Sequence, residues 1–182
     1  TKGIAVTNTP DVLTDATADI QILLLLGASR KAHEGRIAAE TQNWKWSWDF
    51  LLGKQMSNKK LGILGMGRIG SAVAKRAKGF GMEIHYHNRS KLPPEKEKGA
   101  IYHKDIKSLF EQSEFLSINC PATPETIKII NKKTLSYLRD NTVVGNAARG
   151  DVVDDEAMVE AIKSGKVFAY GCLLYTSPSP RD

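Results

Sequence analysis

The pattern of apolar and polar positions divides the chain at Lys60. Before it, one segment, "DATADIQILLLLGASRKAHEGR", carries most of the apolar residues and predicts a single helix, with Thr14 as its cap and Asp15 favourably placed in the first turn. The middle of this segment is apolar nearly all round, which predicts a helix buried between two bodies rather than lying on a surface. A short strand is expected at Gly3 to Thr7, ended by the turn Asn8-Thr9-Pro10. Between the helix and Lys60, "NWKWSWDFLLGKQMSNKK" has no period and sets Trp44, Trp46 and Trp48 at alternating positions. Two readings fit these tryptophans: a contact with a partner subunit, or a cover over the domain's own core.

From Lys60 the pattern alternates regularly between short apolar runs and helical periods. "LGILG" predicts a strand and "RIGSAVAKRAKGF" a helix, with Ile69, Val73, Ala77 and Phe80 along one face. "EIHYHN" is a strand and "AIYH" a short one. "KDIKSLFEQ" follows as a helix capped by Asp105, then "FLSINC" as a strand broken at Pro121. "NKKTLSYLR" predicts a helix, "TVVGN" a strand, and "DDEAMVEAIKS" a helix capped by Asp154 with Gly165 just past its end. "KVFAYG" is the last strand. Strand and helix alternating at this spacing predict a parallel sheet covered on both faces.

Composition narrows this little. At 182 residues the chain can build one well-cored domain with a fragment of a second. The net charge of +6 comes from cations scattered from Lys2 to Arg181 among acidic residues, a solvated surface rather than a nucleic-acid face. The longest apolar run, Ile22 to Leu26, is far short of the ~20 residues of a membrane span, and the opening "TKGIAV" does not read as a signal peptide, so none is expected. Two cysteines, Cys120 and Cys172, are too few for a disulfide framework and suit a reducing cytosol.

The strongest motif is "KLGILGMGRIG", in which Gly65, Gly67 and Gly70 form G-x-G-x-x-G between a predicted strand and a predicted helix. In that context the first glycine permits a tight turn, the second lets backbone approach a pyrophosphate, and the third lets helix pack on sheet. The N–H groups and dipole of the helix start favour the anion, and Arg68 adds a cation there. Cofactor choice is set at the end of the second strand, where a carboxylate about 20 residues into the unit would bind the ribose 2′-hydroxyl of NAD. Asn88 stands there instead, followed by Arg89, Ser90 and Lys91. No acid among these sequence neighbours repels a 2′-phosphate, while two cations and a hydroxyl could hold it, so the reading favours NADP(H) over NAD(H). The alternative keeps NAD(H), with Arg89 and Lys91 as surface charges.

Four stretches in order, "NTPDVLTDATADIQILLLL", "LGILGMGRIGSAVAKRAKGFGM", "PATPETIKIINKKTL" and "NAARGDVVDDEAMVEAIKSG", resemble the D-isomer-specific 2-hydroxyacid dehydrogenase family. The "HYHNRS" stretch is most similar to the glyoxylate and hydroxypyruvate reductase branch. The resemblance implies an α/β, doubly wound parallel sheet of the Rossmann type, preceded by an interdomain helix. Residues 1–10 would close a truncated substrate domain, 11–58 form the interdomain helix and dimer arm, and 59–171 the dinucleotide-binding domain. The family's dimers favour the interface reading of the tryptophans and predict a homodimer. The implied cofactor set is Gly65, Gly67, Arg68, Ile69, Gly70, Asn88, Arg89, Ser90, Lys91, Cys120, Pro121 and Ala147, with no metal.

The same resemblance implies that Arg149 is catalytic, gripping the carboxylate of a 2-keto acid and polarising its carbonyl. The family's acid–base histidine and its glutamate lie downstream of the last strand, and none of His33, His85, His87 and His103 stands in that context. His85 and His87 alternate on one strand without a suitably spaced third ligand, so all four read as surface, sheet or loop residues. Cys120 has no paired base and reads as a small buried filler beside the nicotinamide. At the tail, Cys172-Leu173 stands where the family continues with Leu and Asp. "LLYTSPSPRD", with Pro178 and Pro180, resembles no later family element, so 172–182 reads as a non-native tail. The function implied is hydride transfer between NAD(P)H and glyoxylate or hydroxypyruvate by a parent enzyme, this fragment itself being inactive. Phosphoglycerate or D-lactate dehydrogenase, and a non-catalytic dinucleotide-binding and dimerisation module like the family's corepressors, are the alternatives.

Overall fold

Among the described residues, six short strands form one all-parallel sheet: β1 Lys60–Leu64, β2 Glu83–His87, β3 Ile101–Tyr102, β4 Phe115–Ile118, β5 Thr142–Asn146 and β6 Val167–Cys172. The computed structural model describes residues 3–5, 7, 9, 11–42 and 44–173. The strand order is β3-β2-β1-β4-β5-β6, so the direction of winding reverses between β1 and β4. Strands β4 and β5 are buried along their whole length, which fits their largely apolar sequences.

Among the described residues there are seven α-helices: α1 Thr14–Ser29, α2 Ala32–Thr41, α3 Arg68–Lys78, α4 Pro94–Glu97, α5 Ile106–Gln112, α6 Lys132–Ser136 and α7 Asp155–Lys163. One face is closed by α1 and α3, whose Leu25, Val73 and Ala77 join Ile63, Ile84 and Val143 in one core. The opposite face is closed by α5, α6 and α7, through Leu109, Phe110, Leu135 and Met158. The predicted caps form: Asp105 accepts from Ser108 N and Asp154 from Ala157 N, and Gly165 takes φ of +77° just beyond α7.

The region before Lys60 departs from expectation. Gly3–Ala5 and Thr7 are not in a strand, and Ile4 is exposed, because no strand of the sheet runs beside them; Val6, Asn8 and Pro10 lie outside the described residues. The single predicted helix is two. Lys54 N donates to Ser29 O at 2.7 Å, occupying a carbonyl that a continuing helix would need, and Lys31 turns to φ of +53°. At the start of α1 the cap position is Leu13, without a side-chain bond, and Thr14 is already helical. The short α4 was not predicted, although Pro94 followed by acidic residues is a helix-start signal. At the other end β6 runs one residue further than expected, to a buried Cys172, and the rest of the tail from Leu174 lies outside the described residues.

Helix α1 lies on β5 through an unusual pair. A Cβ on Gly145 would come 2.7 Å from Gln21 Nε2, so the glycine leaves the space that Gln21 fills. Gln21 is fully buried, and neither of its amide atoms has a hydrogen-bond partner among the described residues. An unpaired buried polar group costs about 1–3 kcal/mol. Gln21→Met keeps the length of the side chain without the amide, and it should raise the stability to urea by about 1–3 kcal/mol. A loss of stability would show that the amide is satisfied.

Candidate active site

The three glycines of the β1–α3 turn serve different needs. Gly65 leaves β1 with φ of +95°, and a Cβ on it would stand 2.7 Å from Cys120 N, so the turn lies directly against the backbone after β4. On Gly70 a Cβ would overlap Gly65 O. Gly67 has no such constraint: its φ is −84°, and a Cβ there would meet nothing within 4 Å. That open space sits at the N-terminus of α3, whose cap position makes no side-chain hydrogen bond. Uncapped N–H groups and the helix dipole suit an anion, so the cradle fits a phosphate by its chemistry and by its room.

Arg68 and Ile69 open α3 at this cradle. The Arg68 guanidinium lies 3.0 Å from Asp11 Oδ1, an exposed pair that holds the cation at the mouth and contributes little stability. Asn88, expected at the cofactor ribose, is also hydrogen-bonded to the glycine turn. Its Oδ1 accepts from Met66 N at 2.7 Å and its Nδ2 donates to Met66 O at 3.4 Å, bracing the glycine turn from β2. Beyond it Arg89, Ser90 and Lys91 are exposed on the loop. That loop is tied down where Leu92 N donates to Tyr86 Oη at 3.0 Å, and Lys91 Nζ stands 3.8 Å from Glu97 Oε2. Sequence neighbours show no acid at this loop; the fold brings one back from α4.

Across the reversal point, Cys120 and Ala147 are buried at the ends of β4 and β5, and Pro121 is exposed. Burial pushes the Cys120 thiol up, so it stays protonated, as a filler would. The end of β5 is organised by Asn146, which is buried. Its Nδ2 donates to Arg149 O at 2.9 Å and to Tyr170 Oη at 3.2 Å, while its Oδ1 accepts from Ala148 N at 2.9 Å. These bonds fold residues 147–149 into a turn that leaves Arg149 exposed, its guanidinium donating to Ala148 O at 2.8 Å. Burial drives the Tyr170 phenol upward, so Tyr170 remains a neutral partner for Asn146. Asn146 and Tyr170 escaped the sequence reading. The signal was a buried-strand pattern ending on an amide side chain immediately before the turn.

The His85–His103 pair lies apart from Arg149. His85 Nδ1 and His103 Nε2 are 2.8 Å apart, and His85 Nε2 lies 2.6 Å from Glu83 Oε1, across β1 and β4 from the arginine loop. No group of three metal-ligating side chains occurs among the described residues. No described helix is long and apolar enough to cross a membrane.

Residues 22–180 match the family model of the D-isomer specific 2-hydroxyacid dehydrogenase, NAD binding domain. The chain belongs to this family. It is 42% identical over 175 residues to a glyoxylate reductase of Thermococcus litoralis, covering 93% of this chain and 53% of that one. It is 44% identical over 169 residues to a glycerate dehydrogenase of Hyphomicrobium methylovorum, with 91% and 52% covered. The crystal structure of a glyoxylate reductase from Paecilomyes thermophila superposes with a TM-score of 0.86 at 44% identity, over 93% of this chain and 51% of that one. The chain thus spans about half the length of the curated relatives it matches. Within the family, the Rossmann-type sheet and the nicotinamide dinucleotide as cofactor class agree with what the glycine turn predicted.

Proposed function

We propose that the chain is the nucleotide-binding part of an NADP(H)-favouring reductase of small 2-keto acids, glyoxylate or hydroxypyruvate, forming the D-2-hydroxy acid. The observation that carries this reading is the open cradle at Gly67, a glycine whose room no internal contact explains. In it the first-turn N–H groups of α3 and Arg68 would hold the pyrophosphate, with Gly65, Ile69 and Gly70 shaping the turn. Asn88 supports that turn, while Arg89, Ser90 and Lys91 would surround a 2′-phosphate. Cys120, Pro121 and Ala147 would line the nicotinamide end. A bound nicotinamide dinucleotide supplies the reducing equivalent. Arg149 would grip the substrate carboxylate with its planar guanidinium and polarise the adjacent carbonyl. The proton for the new hydroxyl would come from a group other than the four histidines.

The names of the relatives, glyoxylate reductase and glycerate dehydrogenase, support the substrate class. In the parent enzyme residues 1–10 would end the substrate domain, 11–58 connect and dimerise, and 59–171 bind the dinucleotide, while 172–182 would be a tail of this chain that the parent lacks. Trp46 and Trp48 are 81% and 86% exposed and do not cover the domain's own core, which favours a homodimer contact; Trp44 stacks on Phe50 at 5.3 Å. Two free cysteines fit a cytoplasmic location. Calorimetric titration with NADPH and NADH tests the cofactor reading. Both should bind, NADPH more tightly. Equal affinities would remove the argument from Arg89, Ser90 and Lys91, and binding of neither would remove the reading as a whole.

A further inference from the structure

Glu97 stands apart from the other charged groups around the glycine turn. Its side chain is only 14% exposed, whereas Lys91, its partner at 3.8 Å, is 61% exposed. One carboxylate oxygen accepts from Tyr86 Oη at 2.5 Å. Tyr86 is fully buried in β2, and burial first, then this hydrogen bond, push its phenol up to about 12, so the donor proton stays in place. The same Tyr86 oxygen accepts from Leu92 N, so β2, the loop and α4 are tied together at one atom. The Glu97 carboxylate is therefore held in a fixed orientation, and its second oxygen faces Lys91.

Glu97 also lines a crevice of about 630 Å³ that opens at Gly67 and Arg68. Its other charged walls are Lys75, Lys78, Lys96 and Lys98, and Lys78 Nζ is engaged by Lys98 O. An anion seated at the Gly67 cradle thus shares its crevice with a surplus of positive charge opposed by one anchored carboxylate. Across the loop, the Glu125 carboxyl is held below its usual range mainly by hydrogen bonding to Thr123, with a smaller contribution from Arg89. Of the two cations after Asn88, Lys91 is the one with a fixed carboxylate beside it.

We propose that Glu97 is a positioning residue for cofactor choice: it occupies Lys91 and so restrains the preference for a dinucleotide bearing a 2′-phosphate over one with a free 2′-hydroxyl. The inference rests on the cofactor reading above. Its test uses Glu97→Gln, because the amide oxygen can still accept from Tyr86 while the charge facing Lys91 is gone. Wild type, Glu97→Gln, Lys91→Met and the double variant are titrated with NADPH, NADH, adenosine 2′,5′-bisphosphate and 5′-AMP. Glu97→Gln should bind the two 2′-phosphorylated ligands about three- to tenfold more tightly and leave NADH and 5′-AMP within about twofold. The gain should shrink as salt is raised and vanish in the Lys91→Met background. A merely structural role would shift all four ligands together, and that result overturns the proposal. So does an unchanged ratio of NADPH to NADH in a protein that binds both. If wild type binds none of the four, the cofactor reading itself falls and this proposal with it.

Discussion

Gly67→Val should leave the protein folded and weaken its dinucleotide binding by at least about tenfold. The substitution places its Cβ where no protein atom lies within 4 Å, at a φ of −84° that any residue adopts. Thermal unfolding should therefore be nearly unchanged. The new side chain would fill the cradle at the start of α3 and keep a pyrophosphate from its N–H donors. Hydrogen bonds to charged groups contribute about 1.5–3 kcal/mol each, so losing one or two lowers affinity by about 10- to 10,000-fold for NADPH and NADH alike. Gly65→Val makes the contrast: φ of +95° and backbone 2.7 Å from the new Cβ should destabilise the fold itself. Titration and melting of the two variants side by side separate a glycine kept for a ligand from one kept for a turn. Wild-type affinity in Gly67→Val would show that the open space is not the phosphate site.

What the sequence made legible follows the range of the forces involved. The glycine turn, the caps at Asp105 and Asp154, and strands such as "TVVGN" depend on neighbours a few residues away, and each formed where the pattern placed it. The break between α1 and α2 depends on Lys54 reaching Ser29 O, a contact that helical periodicity does not contain. Asn88 shows the same limit within the site. Its place at the end of β2 is readable; that a residue expected at a ribose also braces the turn is not, because its partner Met66 follows the neighbouring strand β1. Glu97 is the sharper case. Counting charges along "HNRSK" finds only cations, and the carboxylate enters because Tyr86 on β2 holds α4 against the loop. The tryptophans were ambiguous for a different reason: alternation on an irregular segment does not say which side faces out, and only the fold shows Trp46 and Trp48 in solvent.

Arg149→Lys should cut kcat/KM for glyoxylate or hydroxypyruvate by about 100- to 1,000-fold in an enzyme of the relatives' full length, while dinucleotide affinity stays unchanged. The backbone of the arginine loop is set by Asn146, which donates to Arg149 O and accepts from Ala148 N, and neither bond involves the side chain at 149. The guanidinium is exposed and hydrogen-bonds to Ala148 O, so its replacement should cost little stability. What changes is the geometry offered to the substrate. A guanidinium presents parallel N–H donors that can meet a carboxylate and the neighbouring carbonyl in one plane, whereas an ammonium is a point charge that meets one at a time. If Arg149 only attracted anions, lysine would serve nearly as well and the loss would appear in KM alone. If it polarises the carbonyl as charge develops there, kcat falls as well. A near-normal rate in Arg149→Lys would remove Arg149 from the site, and a loss confined to KM would reduce it to an anchor. A joint fall in kcat and kcat/KM, with NADPH binding intact, assigns it to the chemical step.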